Sequence, residues 1–340
     1  MNSLYNKHLL TLLDYTPAEI QYLLDLAALL KVQKKSGTEQ QALKGKNIAL
    51  IFEKDSTRTR CAFEIGAADQ GAHTTYLGPT GSQMNKKESL KDTARVLGSM
   101  FDAIEFRGFA QSDVEALALY SGVPVWNGLT DSDHPTQTLA NFLTLREQID
   151  KPLNELTYVY VGHGQSNMCQ ALMSGAVKLG MNFRLVGPSA YFPKGAFYEQ
   201  CLQVAEETGA TIQCFDDVKA GVNGADVIYT GVWVTMGDPY ELWKERIEQF
   251  LPYQVNRAMM EATNNPNAVF CHCLPAFHNT ETQVGKDIFE RFGLDGIEVT
   301  EDVFEGPQSL AFEEAENRLH TIKAVMVATF CDYLELYGEK

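Results

Sequence analysis

Short apolar runs that alternate with helical stretches constrain this chain most. Ile48–Phe52 is apolar and bounded by polar residues, as a strand buried on both faces should be. Similar runs follow at Thr75–Leu77, Ala103–Phe106 and Val123–Trp126. Between them lie helical stretches: one through Ala62 and Phe63, one over Ser89–Phe101 and one over Ser112–Tyr120. A first helix is expected over Pro17–Lys35. Thr16 and Glu19 form its capping box, Pro17 suits its first turn, and Ile20, Leu23, Leu24 and Ala27 form its apolar face. A helix over Thr136–Gln148 joins the halves, and the pattern restarts. Strands are expected at Leu156–Val161, Phe183–Val186, Val227–Thr230 and Val269–Cys273, with a helix over Asn167–Leu179 closed by Gly180. A last helix covers Ala315–Tyr337, with Leu319, Ile322, Val325, Met326 and Phe330 as its stripe. The fold class is α/β, with two doubly wound domains built on mostly parallel sheets. The boundaries are 1–148, 149–314 and a C-terminal helix over 315–340. Ligands in such sheets bind at the carboxyl ends of the strands.

Charge narrows the function. The 340 residues include 28 Lys and Arg against 44 Asp and Glu, a formal net charge of −16. Duplex nucleic acid and anionic membrane surfaces both need a basic footprint, so neither is an expected partner. An anionic small substrate stays open if the site gathers its own cations. Met1–Asp14 lacks the pattern of a signal peptide, and no apolar run is long enough to span a membrane. The seven cysteines are scattered and show no disulfide framework, which points to reduced thiols and a cytoplasmic home.

Four segments carry candidate chemistry. Ser56-Thr57-Arg58-Thr59-Arg60 follows a buried strand and opens a helix. A helix N-terminus with hydroxyls and two arginines suits a phosphate dianion; helix capping alone also explains the hydroxyls. His134-Pro135-Thr136-Gln137 places two hydrogen-bonding side chains at a helix start, where they can reach a planar carbonyl or simply form a turn. Cys271-His272-Cys273-Leu274-Pro275 ends a strand. Adjacent strand residues point to opposite faces, so no metal site is expected there. A nucleophilic Cys and a buried structural thiol both remain open. Gly162-His163-Gly164-Gln165-Ser166-Asn167 nearly matches a dinucleotide fingerprint, but Asn167 stands in place of the third glycine, so no nicotinamide cofactor is expected.

Taken together, these motifs resemble the aspartate/ornithine carbamoyltransferase family, and within it the ornithine branch. Further landmarks are Gly81-Ser82-Gln83, Lys87-Glu88-Ser89, Arg107, Val234-Thr235-Met236-Gly237 and Glu316-Asn317-Arg318. Their order and spacing span nearly the whole chain. The resemblance implies a carbamoyl phosphate domain, then an amine-substrate domain, with the last helix returning to the first. It implies homotrimers or multiples of trimers with sites between subunits, and no metal or organic cofactor. By that resemblance Ser56, Thr57, Arg58, Thr59 and Arg107 hold the phosphate, with Gln83 from a neighbour, and Arg60 supports the loop. His134, Gln137, the Leu274 carbonyl and Arg318 hold the carbamoyl group, and Cys273 sits beside the incoming amine. L-Ornithine is the implied acceptor, giving L-citrulline and phosphate in arginine metabolism.

The chain departs from the family at the amine. Ornithine enzymes carry an Asp where Gly231 stands, and that Asp contacts the α-amino group. Asn167 and Met236 keep the pattern, Thr235 keeps a hydroxyl where Ser is usual, and His163-Gly164-Gln165-Ser166 replaces a segment that usually begins with Asp. A buried ammonium that loses its carboxylate costs on the order of 2–5 kcal/mol, about 30-fold or more in affinity. Two alternatives therefore stand beside ornithine: another acceptor, such as an ω-amino acid or an α-N-substituted diamino acid, and an inactive relative that only binds carbamoyl phosphate.

Overall fold

A computed structural model of the protein describes residues 4–80, 88–234 and 239–337. The chain divides into two compact units, Met1–Leu143 with Glu316–Lys340, and Thr144–Ala315. In the first unit, helix α1 (Pro17–Ser36) opens on the expected capping box. The Thr16 hydroxyl accepts from Glu19 N at 3.2 Å and the Glu19 carboxylate accepts from Thr16 N at 2.8 Å. Strands β1 (Asn47–Phe52), β2 (His73–Leu77), β3 (Ala103–Arg107) and β4 (Val125–Leu129) form a sheet in the order β2-β1-β3-β4, with every neighbouring pair parallel. Parallel strands need crossovers, which α2 (Thr57–Asp69), α3 (Leu90–Met100) and α4 (Gln111–Ser121) supply. Ile51, Ile104, Phe106, Val114 and Leu117 pack in one core cluster of this unit. The order reverses between β1 and β3, so a cleft opens at the carboxyl ends of those two strands. Those ends carry the segment that leads to Ser56, and Arg107.

Helix α5 (Pro135–Gln148) leads into the second unit. There β5 (Thr157–Val161), β6 (Asn182–Val186), β7 (Thr211–Phe215), β8 (Val227–Thr230) and β9 (Val269–His272) form an all-parallel sheet ordered β7-β6-β5-β8-β9. The helices are α6 (Asn167–Lys178), α7 (Ala196–Thr208), α8 (Val218–Val222), α9 (Tyr240–Phe250), α10 (Arg257–Ala262), α11 (Gln283–Phe292) and α12 (Glu301–Phe304). Here the order reverses between β5 and β8, so Gly162 and Gly231 follow the two strands that flank the switch point. Among the described residues, no helix is long and apolar enough to cross a membrane.

The expected last helix is in fact two, α13 (Ala311–Phe330) and α14 (Tyr333–Tyr337). Asp332 breaks it, because its carboxylate accepts from Glu335 N at 3.3 Å, as a helix-capping side chain does, and from the Tyr22 hydroxyl at 2.9 Å. Within the first unit α13 lies against α2. A Cβ on Gly66 would sit 2.9 Å from the terminal methyl of Met326 and 3.5 Å from Lys323 Cβ, so glycine eases the close approach, and a larger residue would displace the flexible end of Met326. Lys323 is fully buried, and its ammonium binds both Glu39 and Asp69 at 2.6 Å. Burial pushes the Asp69 carboxyl up, but hydrogen bonds from Lys323 and Lys34 outweigh it and hold the group below its usual range. Removing one partner of a buried ion cluster leaves the others uncompensated. Lys323→Met is expected to destabilise the first unit by about 3 kcal/mol in urea unfolding; a change below about 0.5 kcal/mol would show that the cluster is not needed.

Candidate active site

Ser56 caps α2, its hydroxyl accepting from Thr59 N at 3.2 Å. Ser56 and Arg58 are half-buried, Thr57 is exposed, and Thr59 is fully buried beneath them. The Thr59 hydroxyl accepts from Arg318 Nη2 at 2.8 Å, and Arg107 Nη1 lies 3.5 Å from the same oxygen. One hydroxyl thus gathers guanidinium groups from β3 and α13 at the N-terminus of α2. Thr59 therefore serves through its side chain as the holder of two arginines. Arg60 turns away, pairing with Glu64 at 2.9 Å with its guanidinium 3.8 Å from the centre of the Tyr76 ring.

His134 and Gln137 are buried at the start of α5. The His134 carbonyl accepts from Gln137 N at 3.0 Å and Thr138 N at 3.3 Å, which makes His134 the residue that opens the helix. Burial, then the charges of Arg318, Arg107 and Arg58, holds its imidazole well below the usual histidine range. It is neutral at neutral pH and keeps one N–H to donate. The dependence on all three arginines places His134 in the same electrostatic neighbourhood.

In the second unit, Asn167 is the first residue of α6, and Ser166 caps that helix by accepting from Cys169 N at 3.3 Å. The Tyr160 and Ser166 hydroxyls are 3.0 Å apart. Gly231 is buried, and a Cβ there would lie 3.3 Å from the Tyr160 oxygen. In the 162–167 turn Gly164 has a packing reason, since a Cβ there would sit 2.4 Å from Leu185 and 2.6 Å from the Tyr191 carbonyl, while Gly162 holds φ +130°. His163 accepts from Gln165 N at 3.1 Å, and its ring packs on Tyr191 and Phe250. Cys273 and Leu274 are half-buried at the end of β9, and Leu274 has φ +54°. His272 Nδ1 accepts from Leu274 N at 2.9 Å, while Glu298 accepts from Phe277 N at 2.6 Å and lies 3.6 Å from His272 Nε2. That buried pair shapes the segment. Gln83, Thr235 and Met236 lie outside the described residues.

Two groups of the first unit are not legible as site residues from motifs. Glu105 is a carboxylate inside an apolar strand, two positions before Arg107. Asp133 is buried, and its carboxylate accepts from His134 N at 2.7 Å. Burial, with help from the charge of Asp14, pushes Asp133 up to about 7, against hydrogen bonds from Thr11 and His134.

Comparison with known proteins points to one family. The carbamoyl-P binding domain model of aspartate/ornithine carbamoyltransferase matches residues 7–147, and the Asp/Orn binding domain model matches residues 154–329. The chain is 58% identical over 333 residues to an ornithine carbamoyltransferase of Staphylococcus aureus, covering 98% of this chain and all of that protein. It is 58% identical over 332 residues to "Ornithine carbamoyltransferase 1, catabolic" of Streptococcus agalactiae, again over 98% and all of the two chains. Among solved structures, the ornithine carbamoyltransferase of Pyrococcus furiosus superposes with a TM-score of 0.88 at 39% identity, over 97% of this chain and 99% of that one. The Giardia lamblia ornithine transcarbamoylase does so at 0.82 and 28%, over 96% and 99%.

Asp133 has a consequence for stability. Its folded-state value lies above its ordinary one, so the unfolded chain releases this proton first, and stability falls as pH rises from about 4 to about 7. Asp133→Asn is expected to flatten that fall in thermal melts across the same range. An unchanged slope would mean that Asp133 is not the group responsible.

Proposed function

Because the chain belongs to the aspartate/ornithine carbamoyltransferase family and is a carbamoyltransferase, we propose that it moves the carbamoyl group of carbamoyl phosphate to L-ornithine, giving L-citrulline and phosphate. The observation that carries this reading is the convergence of Arg107 and Arg318 on the buried Thr59, with Arg58 and neutral His134 in the same electrostatic neighbourhood. Three fixed cations at a helix N-terminus suit a phosphoryl dianion. A neutral imidazole and the Gln137 amide suit the uncharged carbamoyl end. In the second unit Asn167, Gly231, Thr235, Met236 and Cys273 serve the amine, and Leu274 offers its carbonyl to the carbamoyl NH₂. The same reading gives Gln83 to the site of a neighbouring copy in a homotrimer or multiple of trimers. It also places the enzyme in the cytoplasm, where its seven cysteines stay reduced.

The chemistry follows. The neutral δ-amine of ornithine attacks the carbamoyl carbon with its lone pair. Negative charge develops on the carbonyl oxygen, where the His134 N–H and Arg318 stabilise it. The bond between the carbamoyl carbon and the bridging oxygen then breaks, its electrons leave with that oxygen on the phosphate, and the amine's proton passes to the leaving phosphate. The arginines stabilise the charge that grows on the leaving phosphate.

A second reading keeps the transfer but changes the acceptor. Gly231 favours it, since the neutral Tyr160 phenol stands beside a position with no carboxylate.

Citrulline formation from carbamoyl phosphate and ornithine tests the first reading, with His134→Ala expected to lower kcat by about 100-fold or more. If ornithine gives no citrulline while another amine releases phosphate, the second reading holds, and Gly231→Asp should then raise ornithine turnover. No phosphate release with any amine would reject both.

A further inference from the structure

Glu105 is a buried ionisable group that the chemistry above leaves unused. It lies on β3 two residues before Arg107, so the two side chains leave the strand on the same face. It is fully buried, and neither carboxyl oxygen has a hydrogen-bond partner among the described residues. One N–H of Arg318 and one of Arg107 are directed to Thr59, and neither arginine donates to Glu105. The adjoining strand makes room for the carboxyl. Phe106 pairs with Asn127 but Arg107 pairs with Leu129, so Gly128 is the extra residue of a bulge. A Cβ on Gly128 would lie 1.9 Å from Glu105 Oε1, so only glycine leaves that oxygen its place.

A carboxyl that is desolvated and lacks a donor favours its uncharged form. Burial does raise Glu105 well above the usual carboxylate range, against the charges of Arg107 and Arg318. The charged groups about it are Arg107 on its own strand and Arg318 on α13, with Arg58 on α2 in the same cluster; β4 presents the uncharged Gly128, and His134 on α5 is neutral.

We propose that Glu105 is a positioning residue of the phosphate cradle: uncharged, it leaves the field of Arg107 and Arg318 to an arriving phosphoryl dianion, and ionised, it cancels part of that field and weakens binding. The inference rests on reading this cluster as the phosphate site.

Calorimetric titration of the full chain with inorganic phosphate tests it, from about pH 8, where phosphate is already the dianion, up to the highest pH at which the chain stays folded. Over that range the wild-type affinity is expected to fall at least about fivefold more than that of Glu105→Gln, which cannot ionise. Glu105→Ala, which also cannot ionise, provides the same comparison if the glutamine variant does not fold. Equal pH dependence in wild type and variant overturns the role of Glu105. A wild-type chain that binds no phosphate at any pH of the range overturns the cradle itself, and the inference with it.

Discussion

The hydroxyl of Thr59 is the point on which the chemistry proposed for the first unit depends. It accepts from Arg318 at 2.8 Å and lies 3.5 Å from Arg107. Those two residues come from a helix and a strand far apart in sequence. Like charges a few ångström apart repel by on the order of a few kcal/mol at a protein surface. One oxygen between them offers each guanidinium an acceptor without adding an anion. A carboxylate in its place would neutralise the arginines and compete with a phosphoryl group. A hydroxyl holds them and leaves their charge available. The neutrality of His134 follows from the same arrangement, since the arginine charges and its burial both disfavour a proton on that ring.

The placement of Arg318 in turn depends on how α13 is held. Gly66 lets α2 and α13 meet closely, and the buried Lys323 fastens α13 to Glu39 and Asp69. Lys323 lies five residues beyond Arg318, so the ionic anchor and this arginine belong to neighbouring turns of one helix. Trp126 on β4 adds an aromatic anchor, with Phe63 of α2 at 6.2 Å and Phe330 of α13 at 6.2 Å. Tertiary contacts of this kind fix a long helix more firmly than its intrinsic propensity does.

Much of the fold is legible in the chain. The strands β1, β3, β5 and β8 stand out because burial on both faces demands continuous apolar runs. The first helix stands out because its capping box is local. The strand β7 does not, since Thr211–Phe215 is an edge strand with exposed and half-buried positions in alternation. The end of α13 is missed for a similar reason: the apolar stripe continues past Phe330, and only the tertiary bond from Tyr22 and the local cap on Asp332 show the break. In the site, Arg58 and His134 are marked by their motifs. Glu105 and Gly128 are not, because their relation exists only across a strand pair with a bulge, and no spacing along the chain records it. Tyr160 is hidden in the same way, as its hydroxyl reaches Gly231 only after β5 and β8 pair.

The central claim is that one neutral acceptor organises the phosphate cradle, and the dissociation constant of Thr59→Val for carbamoyl phosphate tests it most directly. Valine keeps the shape and removes the oxygen. A hydrogen bond to a charged group contributes about 1.5–3 kcal/mol, so the account predicts binding weakened by about tenfold or more. An affinity within about twofold of wild type, in a variant that folds, would contradict it.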